Sequence, residues 1–296
     1  MIKKLHSTDD FGKRCDVFGG RVHSAHTGRQ FGPVHPQMRY FAGIFQGLLD
    51  EVKQEKLLAP KLAFNTKVTP IGTDYEFARG QGMLDGRMQD IDGFLRTPEA
   101  SDGVVVSITG ETHAKIAVLI MNADCGVGKI LAPDGSLAVM HCGLDNVDNK
   151  DGSSIVVNAI EYFKSQGIDP EDLRFQIGEA ARACCYGFND PAKEGENRAR
   201  SSRLIQSYGT DVSTVVKNPP RKGGIGIDVP LIAARQAEKM GVKDVNVEGI
   251  CTSCYGLNSV FMEAKDQFGQ WFSNLREDSA AVKSRGYGLR NAVVVY

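Results

Sequence analysis

Cys125 and His141 are the two residues whose types and spacing point most directly to chemistry. Between them, residues 127–131 form a short apolar run, Pro133-Asp134-Gly135 has the composition of a tight turn, and residues 136–140 read as a return strand. A hairpin centred near Pro133 brings Cys125 and His141 to the same open end, next to Asp124. Their positions differ by an even number. A register that sets them opposite each other places both on one face, with Cβ atoms about 5 Å apart. A slip of one residue would set Cys142 against Cys125 and turn His141 to the other side.

Two kinds of chemistry suit a thiol and an imidazole that converge. As thiolate and neutral imidazole they are two ligands of a zinc ion. As nucleophile and base they form a reactive pair, because an adjacent imidazole lowers a thiol's pKa. The plainer reading is a buried cysteine beside a satisfied histidine.

The elements that must position this pair come from the whole chain. It has 296 residues, enough for one large or two small domains with a sizeable core. Its composition is that of an ordinary globular protein, and a net charge of −1 gives no reason to expect nucleic acid or an anionic membrane as partner. No apolar run approaches the ~18 residues of a membrane span. The start, MIKKLHSTDDFGKR, is charged and lacks the apolar stretch of a secretory signal. Seven cysteines is an odd number, so reduced thiols in the cytoplasm are the expectation.

Residues 1–40 are rich in glycine and histidine, with His23, His26, His35 and Arg29 in what reads as loop around a short strand. Phe41, Ile44, Phe45, Leu48, Leu49 and Val52 recur at helical spacing and predict a helix over 38–53. Residues 61–71 alternate loosely and predict a strand. The polar, glycine-rich stretch 73–103 reads as loop, and Gly80, Gly82 and Gly86 lack the strand-to-helix context of a phosphate cradle. After the hairpin, Ile155, Val156, Ala159, Ile160 and Phe163 form a helical stripe that Gly167 closes. Residues 173–177 predict a strand. Adjacent Cys184 and Cys185 could bridge only with strain and are read as reduced. The polar, basic stretch 189–224 reads as loop, 228–240 as a capped helix closed by Gly241, and 245–250 and 292–296 as strands. CTSC, from Cys251 to Cys254, is half a zinc knuckle, a redox pair or a pair of core thiols, and no second pair of matching spacing exists. There is no internal repeat, no splitting linker and no dinucleotide fingerprint, so the class is a mixed-sheet α/β sandwich.

The order of the motifs carries more than any one of them. ADC ending at Cys125, HCG starting at His141, IGEAARACCYGF at 177–188, ICT at 250–252 and FSNLRED at 272–278 follow one another. Together they resemble the YfiH-like family, long labelled the multicopper polyphenol oxidase or laccase-domain family. The resemblance covers roughly residues 115–290 and is loose in the N-terminal third. It implies a single domain over 1–296, an α/β (α+β) layered sandwich with mixed β-sheets, related in architecture to the deamidases of the cytotoxic necrotizing factor kind. It also implies a zinc-dependent purine nucleoside phosphorylase with adenosine deaminase side activity, whose partners are a purine nucleoside and phosphate. In the family one Cys and two His hold the metal, which maps two ligands onto Cys125 and His141. The third histidine falls on KVTP at 67–70, where this chain has Thr69. The family's HAGWRG becomes HCGLDN, exchanging an arginine for Asp145, which disfavours phosphate nearby. Arg29 and Arg276 map onto family arginines suited to an anionic substrate, although Arg276 could equally pair with Glu277 or Asp278.

Three readings follow. In the first, Cys125 and His141 are catalytic metal ligands acting on purine nucleosides, with the missing ligand from His26, His35, His113 or Cys142. In the second, a metal-free hydrolase or deamidase uses Cys125 as nucleophile, His141 as base, and Thr69 or Asn122 as orienter. In the third, an inactive relative serves as a binding protein. Asp145 is either a new ligand or a turn residue. Zinc is the expected metal and copper the lesser one, since six scattered histidines do not build a multicopper centre.

Overall fold

The computed structural model describes residues 11–18, 22–27, 41–72, 74–84, 87–107, 116–122, 124–188, 194–216, 224–249, 251–252 and 291–296. In chain order the first elements are β1 (Phe11–Val17), β2 (Val22–Thr27), α1 (Phe41–Val52), β3 (Lys56–Lys61), β4 (Val68–Pro70), β5 (Ala78–Leu84), β6 (Arg87–Ala100) and β7 (Gly103–Ser107). Then come β8 (Ile116–Asn122), β9 (Gly126–Leu131), β10 (Ser136–Cys142), α2 (Leu144–Val147), α3 (Ile155–Ser165), β11 (Arg174–Ile177) and β12 (Gly187–Phe188). The last are α4 (Glu194–Tyr208), β13 (Ser213–Val215), β14 (Ile225–Ile227), α5 (Val229–Lys239), β15 (Asp244–Val247) and β16 (Asn291–Val295).

Two mixed sheets stack face to face. The first runs β1-β2-β16-β8-β3-β6-β5 and the second β15-β11-β9-β10-β7-β4, while β12-β14-β13 form a small third sheet. The central strands are buried on both faces, so they read as continuous apolar runs whose alternate residues serve different layers. In β8, Ala117 and Leu119 face α1, and Val118 and Ile120 face the second sheet. In β10, Leu137 and Val139 join that inter-sheet core, while Ala138, Met140 and Cys142 turn toward α3 and α5. The order is helix, sheet, sheet, helices, as the sequence predicts for a layered sandwich.

The helices form where their stripes and caps dictate. In α1, Phe45, Leu48, Leu49 and Val52 lie on the first sheet, with the Phe45 and Phe94 rings 4.9 Å apart. Ser154 accepts the Val156 N–H at the start of α3, and Gly167 closes the turn beyond its end at φ +82°. Asp228 accepts the Leu231 N–H to start α5. Among the described residues no helix is long and apolar enough to cross a membrane.

Three stretches differ from their predicted form. The strand expected over 61–71 is split between β3 and β4, because the intervening backbone N–H groups of Ala63, Phe64 and Asn65 turn inward to a buried carboxylate, Asp102. The stretch 73–103, read as loop, forms the antiparallel pair β5–β6 at the rim of the first sheet. Its polar sequence suits that edge, where the first residues of β6 are exposed. Gly80 is there for packing, since a Cβ would sit 2.2 Å from the Phe94 ring. The polar stretch 189–224 contains α4, whose buried residues are Ser201 and Leu204 and whose Arg200 and Arg203 both bind the Asp148 carboxylate.

Candidate functional site

Cys125 lies where the chain crosses from the first sheet to the second, between the end of β8 and the start of β9. A crossover exposes backbone that neither sheet can satisfy, and neighbouring groups supply the partners. Asn122 Nδ2 donates to the Cys125 carbonyl at 2.6 Å, the Ala181 N–H donates to the Asp124 carbonyl at 2.7 Å, and Thr252 Oγ1 donates to Asp124 Oδ1 at 3.2 Å. The thiol is half-buried.

The hairpin register sets Val127 opposite His141 and Gly126 opposite Cys142. Extended by one residue, it sets Cys125 opposite Gly143. Cys125 and His141 therefore share a face, as their even spacing requires, but as diagonal neighbours rather than the directly facing pair expected from the sequence. Gly143 makes that diagonal possible. A Cβ there would lie 3.2 Å from Cys125 Sγ, 3.4 Å from His141 Cε1 and 2.9 Å from Asn146 Oδ1. Its backbone, at φ −77° and ψ 168°, suits any residue, so the constraint is space alone. Gly143→Ala is expected to cost about 1–3 kcal/mol in urea denaturation through overpacking. It should also slow alkylation of Cys125 by displacing the thiol from the ring.

His141 is 3% exposed and lies on the inter-sheet side of β10. Its Nδ1 is 3.5 Å from Asp102 Oδ1, longer than a formed hydrogen bond, and has no other partner. The remaining ring nitrogen, Nε2, is the one available to Cys125. Burial alone would lower the imidazole's pKa, but Cys125 and then Asp102 outweigh it and bring it up to about 9. At neutral pH the ring is thus drawn toward imidazolium. The Phe64 ring closes over it edge-on, with centroids 5.8 Å apart.

Asp102, fully buried directly before β7, organises what surrounds it. Its Oδ2 accepts the N–H groups of Asn65 at 2.8 Å and Ala63 at 3.1 Å, and its Oδ1 accepts that of Phe64 at 3.1 Å. Its own carbonyl accepts the His141 N–H at 2.8 Å. Burial pushes the carboxyl up, but His141 and the loop N–H donors hold it below the usual carboxylate range. The loop is held in turn by Asn146 Nδ2 on the Asn65 carbonyl, Asn158 Nδ2 on the Thr66 carbonyl and the Thr66–Ser153 hydroxyl pair. Sequence reasoning missed Asp102. The available signal was an acid placed directly before the all-apolar start of a strand, SDGVVV.

The other candidates fall elsewhere. Thr69 is buried, and its hydroxyl donates to Glu99 Oε1 at 3.3 Å, so it does not orient His141. Asn122 holds the Cys125 backbone, and the imidazole's positioning partner is Asp102 rather than either residue proposed for it. Cys142 faces the helix layer, and burial pushes its thiol up to about 12. Asp145 pairs with Arg200 at 2.9 Å as a turn residue would. Arg29, His35, His113, Cys254 and Arg276 lie outside the described residues, as do the side chains of His23 and His26.

Cys125 and His141 do not complete a zinc site with the described residues. The position of the third donor is a hydroxyl turned to Glu99, and Cys142 faces the helix layer, away from His141. A different set of donor atoms does converge: those of Cys184, Cys185 and Cys251 lie within 4.8 Å of one another. The cleft onto which Cys125 opens is lined by Asp124, Gly143, Leu144, Ala181, Tyr186 and Pro230 among others, and among the described residues Asp124 is the one charged residue in its lining.

Comparison with known proteins agrees with this architecture. Residues 65–268 match the model of a family described as multi-copper polyphenol oxidoreductase laccase. No curated protein matches the sequence. The fold is similar to the crystal structure of the Bacillus licheniformis hypothetical protein YfiH, at 16% identity and TM-score 0.61, over 93% of this chain and 92% of that one. It is similar to YlmD from Geobacillus stearothermophilus at 16% identity and TM-score 0.61, over 93% and 91%. The Neisseria meningitidis protein NMB0706 matches at 14% identity and TM-score 0.57, over 97% and 98%.

Proposed function

The chain belongs to the multi-copper polyphenol oxidoreductase laccase family, the YfiH-like proteins, and from that premise we propose that it is a thiol-dependent hydrolase of carboxamide C–N bonds. Cys125 is the nucleophile, His141 the proton carrier and Asp102 the residue that positions the ring. The observation that carries this reading is the buried line from Asp102 to His141 to the half-exposed thiol, with the imidazole's pKa brought up to about 9.

The chemistry then proceeds in two halves. The Cys125 thiolate attacks the amide carbon, the carbonyl π pair moves to oxygen, and His141 gives its proton to the departing nitrogen as ammonia leaves. This forms a thioester. Water, deprotonated by the now neutral imidazole, attacks that thioester and releases the carboxylate and the thiolate. The sum is amide plus water to carboxylate plus ammonium. A narrow cleft whose described lining is largely apolar, with Asp124 its one charged residue, supports a neutral group such as an amide over a phosphate.

The family match favours a second reading, a zinc-dependent purine nucleoside phosphorylase with deaminase activity. Its third ligand and its phosphate cations would come from residues outside the described ones, Arg29 and Arg276 among them. One experiment separates the two. Protein treated with chelator is assayed for ammonia release from glutamine- and asparagine-containing peptides, and for free base from adenosine and inosine with and without phosphate. Amide hydrolysis that survives the chelator and stops when iodoacetamide labels Cys125 is the expected result. Free base formed only with phosphate and restored zinc would replace it with the second reading. No product from either substrate class would overturn both and leave a binding protein.

A further inference from the structure

We propose that Cys184, Cys185 and Cys251 form a metal site, distinct from Cys125 and His141, that holds one thiophilic ion of the Zn(II) or Cu(I) kind. Their sulfur atoms lie within 4.8 Å of one another, and those of Cys184 and Cys185 are 3.8 Å apart. Zn–S bonds of about 2.3 Å set sulfurs about 3.8 Å apart in a tetrahedron and about 4.0 Å apart in a trigonal plane. None of the three is in a disulfide. The adjacent pair could close one only with strain. Three thiolates around one ion suit soft metals, and a trigonal set in particular suits Cu(I).

The surroundings fit a bound ion. Cys185 and Cys251 are buried and Cys184 is half-buried, which leaves a route for the metal and shields the bonds once made. The Arg182 N–H donates to Cys251 Sγ at 3.4 Å, the outer hydrogen bond that steadies a metal-bound sulfur. The backbone holds the donors in place without the ion. Cys185 N–H and Tyr186 N–H both donate to the Arg182 carbonyl, closing the turn that carries the vicinal pair. Cys251 is bridged to Ala180, whose carbonyl accepts the Thr252 N–H at 3.0 Å. The Arg182 guanidinium is anchored on Asp228 at 2.8 Å and on the Glu248 carbonyl.

The ion would act as a clamp. It would tie the 251–252 segment to the 182–186 turn, and this turn supplies Tyr186, with Ala180 and Ala181 beside it, to the wall of the Cys125 cleft. Thr252 also bonds Asp124 next to Cys125. Binding displaces thiol protons to solvent, so retention weakens as pH falls.

The test uses the full chain, reduced and kept anaerobic, in a Cys125→Ala background that removes the other candidate donor. Zn(II) and Cu(I) are added in separate arms, excess is desalted away, and metal is counted by mass spectrometry. One retained equivalent in one arm, lost in Cys251→Ser and weakened at least tenfold in Cys184→Ser, is the expected result, and the arm that retains it identifies the ion. Co(II) added in place of zinc should give sulfur-to-metal charge-transfer bands that vanish in the same variants. If Cys251→Ser does not fold, the half-exposed Cys184→Ser decides alone. No retention of either ion, or retention unchanged by both variants, would overturn the proposal.

Discussion

Asp102→Asn is expected to lower turnover about 10³–10⁴-fold, by analogy with the loss of a positioning carboxylate elsewhere, while the protein stays folded. The reasoning is a count of donors. Oδ2 serves two loop N–H groups, while Oδ1 serves one and faces His141 Nδ1. An amide must place its NH₂ on one side. Set against Asn65 and Ala63, it would oppose two N–H donors. Set against Phe64 and His141, it opposes one, which is the smaller penalty, about 1–3 kcal/mol for an unpaired donor. That choice turns an N–H toward His141 Nδ1 and forces the ring into the tautomer protonated at Nε2. A neutral ring so protonated cannot take the Cys125 proton. Iodoacetamide labelling of Cys125 at neutral pH, located by peptide mass, should slow about tenfold to a hundredfold. A purely structural role for Asp102 would lower the urea midpoint and leave the labelling rate of the folded protein unchanged, and that result would remove Asp102 from the site.

The layering was legible in the sequence because strands buried on both faces leave apolar runs, and helices that pack on them leave stripes. The runs 116–121 and 127–131 and the stripe from Ile155 to Phe163 all appear as elements in place. The edge pair β5–β6 was illegible for the converse reason: strands at a rim need no apolar face, and Gly80 answered to the Phe94 ring of the neighbouring strand. The site was half legible. Parity alone placed Cys125 and His141 on one face, whereas register depends on which backbone groups the crossover can satisfy. Asp102 stood visibly before an apolar strand, but its role was illegible because that comes from three N–H donors on a loop some forty residues earlier. No local pattern records such a contact. Cys184, Cys185 and Cys251 looked like unrelated thiols for the same reason, since a single bridge between Ala180 and Cys251 brings them together.

Stability should fall as pH rises from about 6.5 to about 9, as His141 loses the proton it holds when folded. His141 titrates near 6.5 in an unfolded chain and is brought up to about 9 when folded. In that window the folded state holds a proton that the unfolded chain has released, so its stabilisation is complete below 6.5 and lost as pH passes 9. Asp102 acts in the opposite sense at the acid end. Its carboxyl is held below its ordinary value, so its contribution is present above that value and lost as pH falls through the depressed one. The urea midpoint should therefore be level in the weakly acidic range and decline toward pH 9, and His141→Gln should flatten the alkaline decline. The same measurement separates the two functional readings, because they require opposite protonation. A zinc-bound His141 is neutral, so zinc binding competes with protons and zinc-loaded protein would gain stability as pH rises. A decline that is unchanged by chelator or added zinc supports the imidazolium beside Cys125. A rise with zinc, abolished by His141→Gln, would show that this ring holds metal.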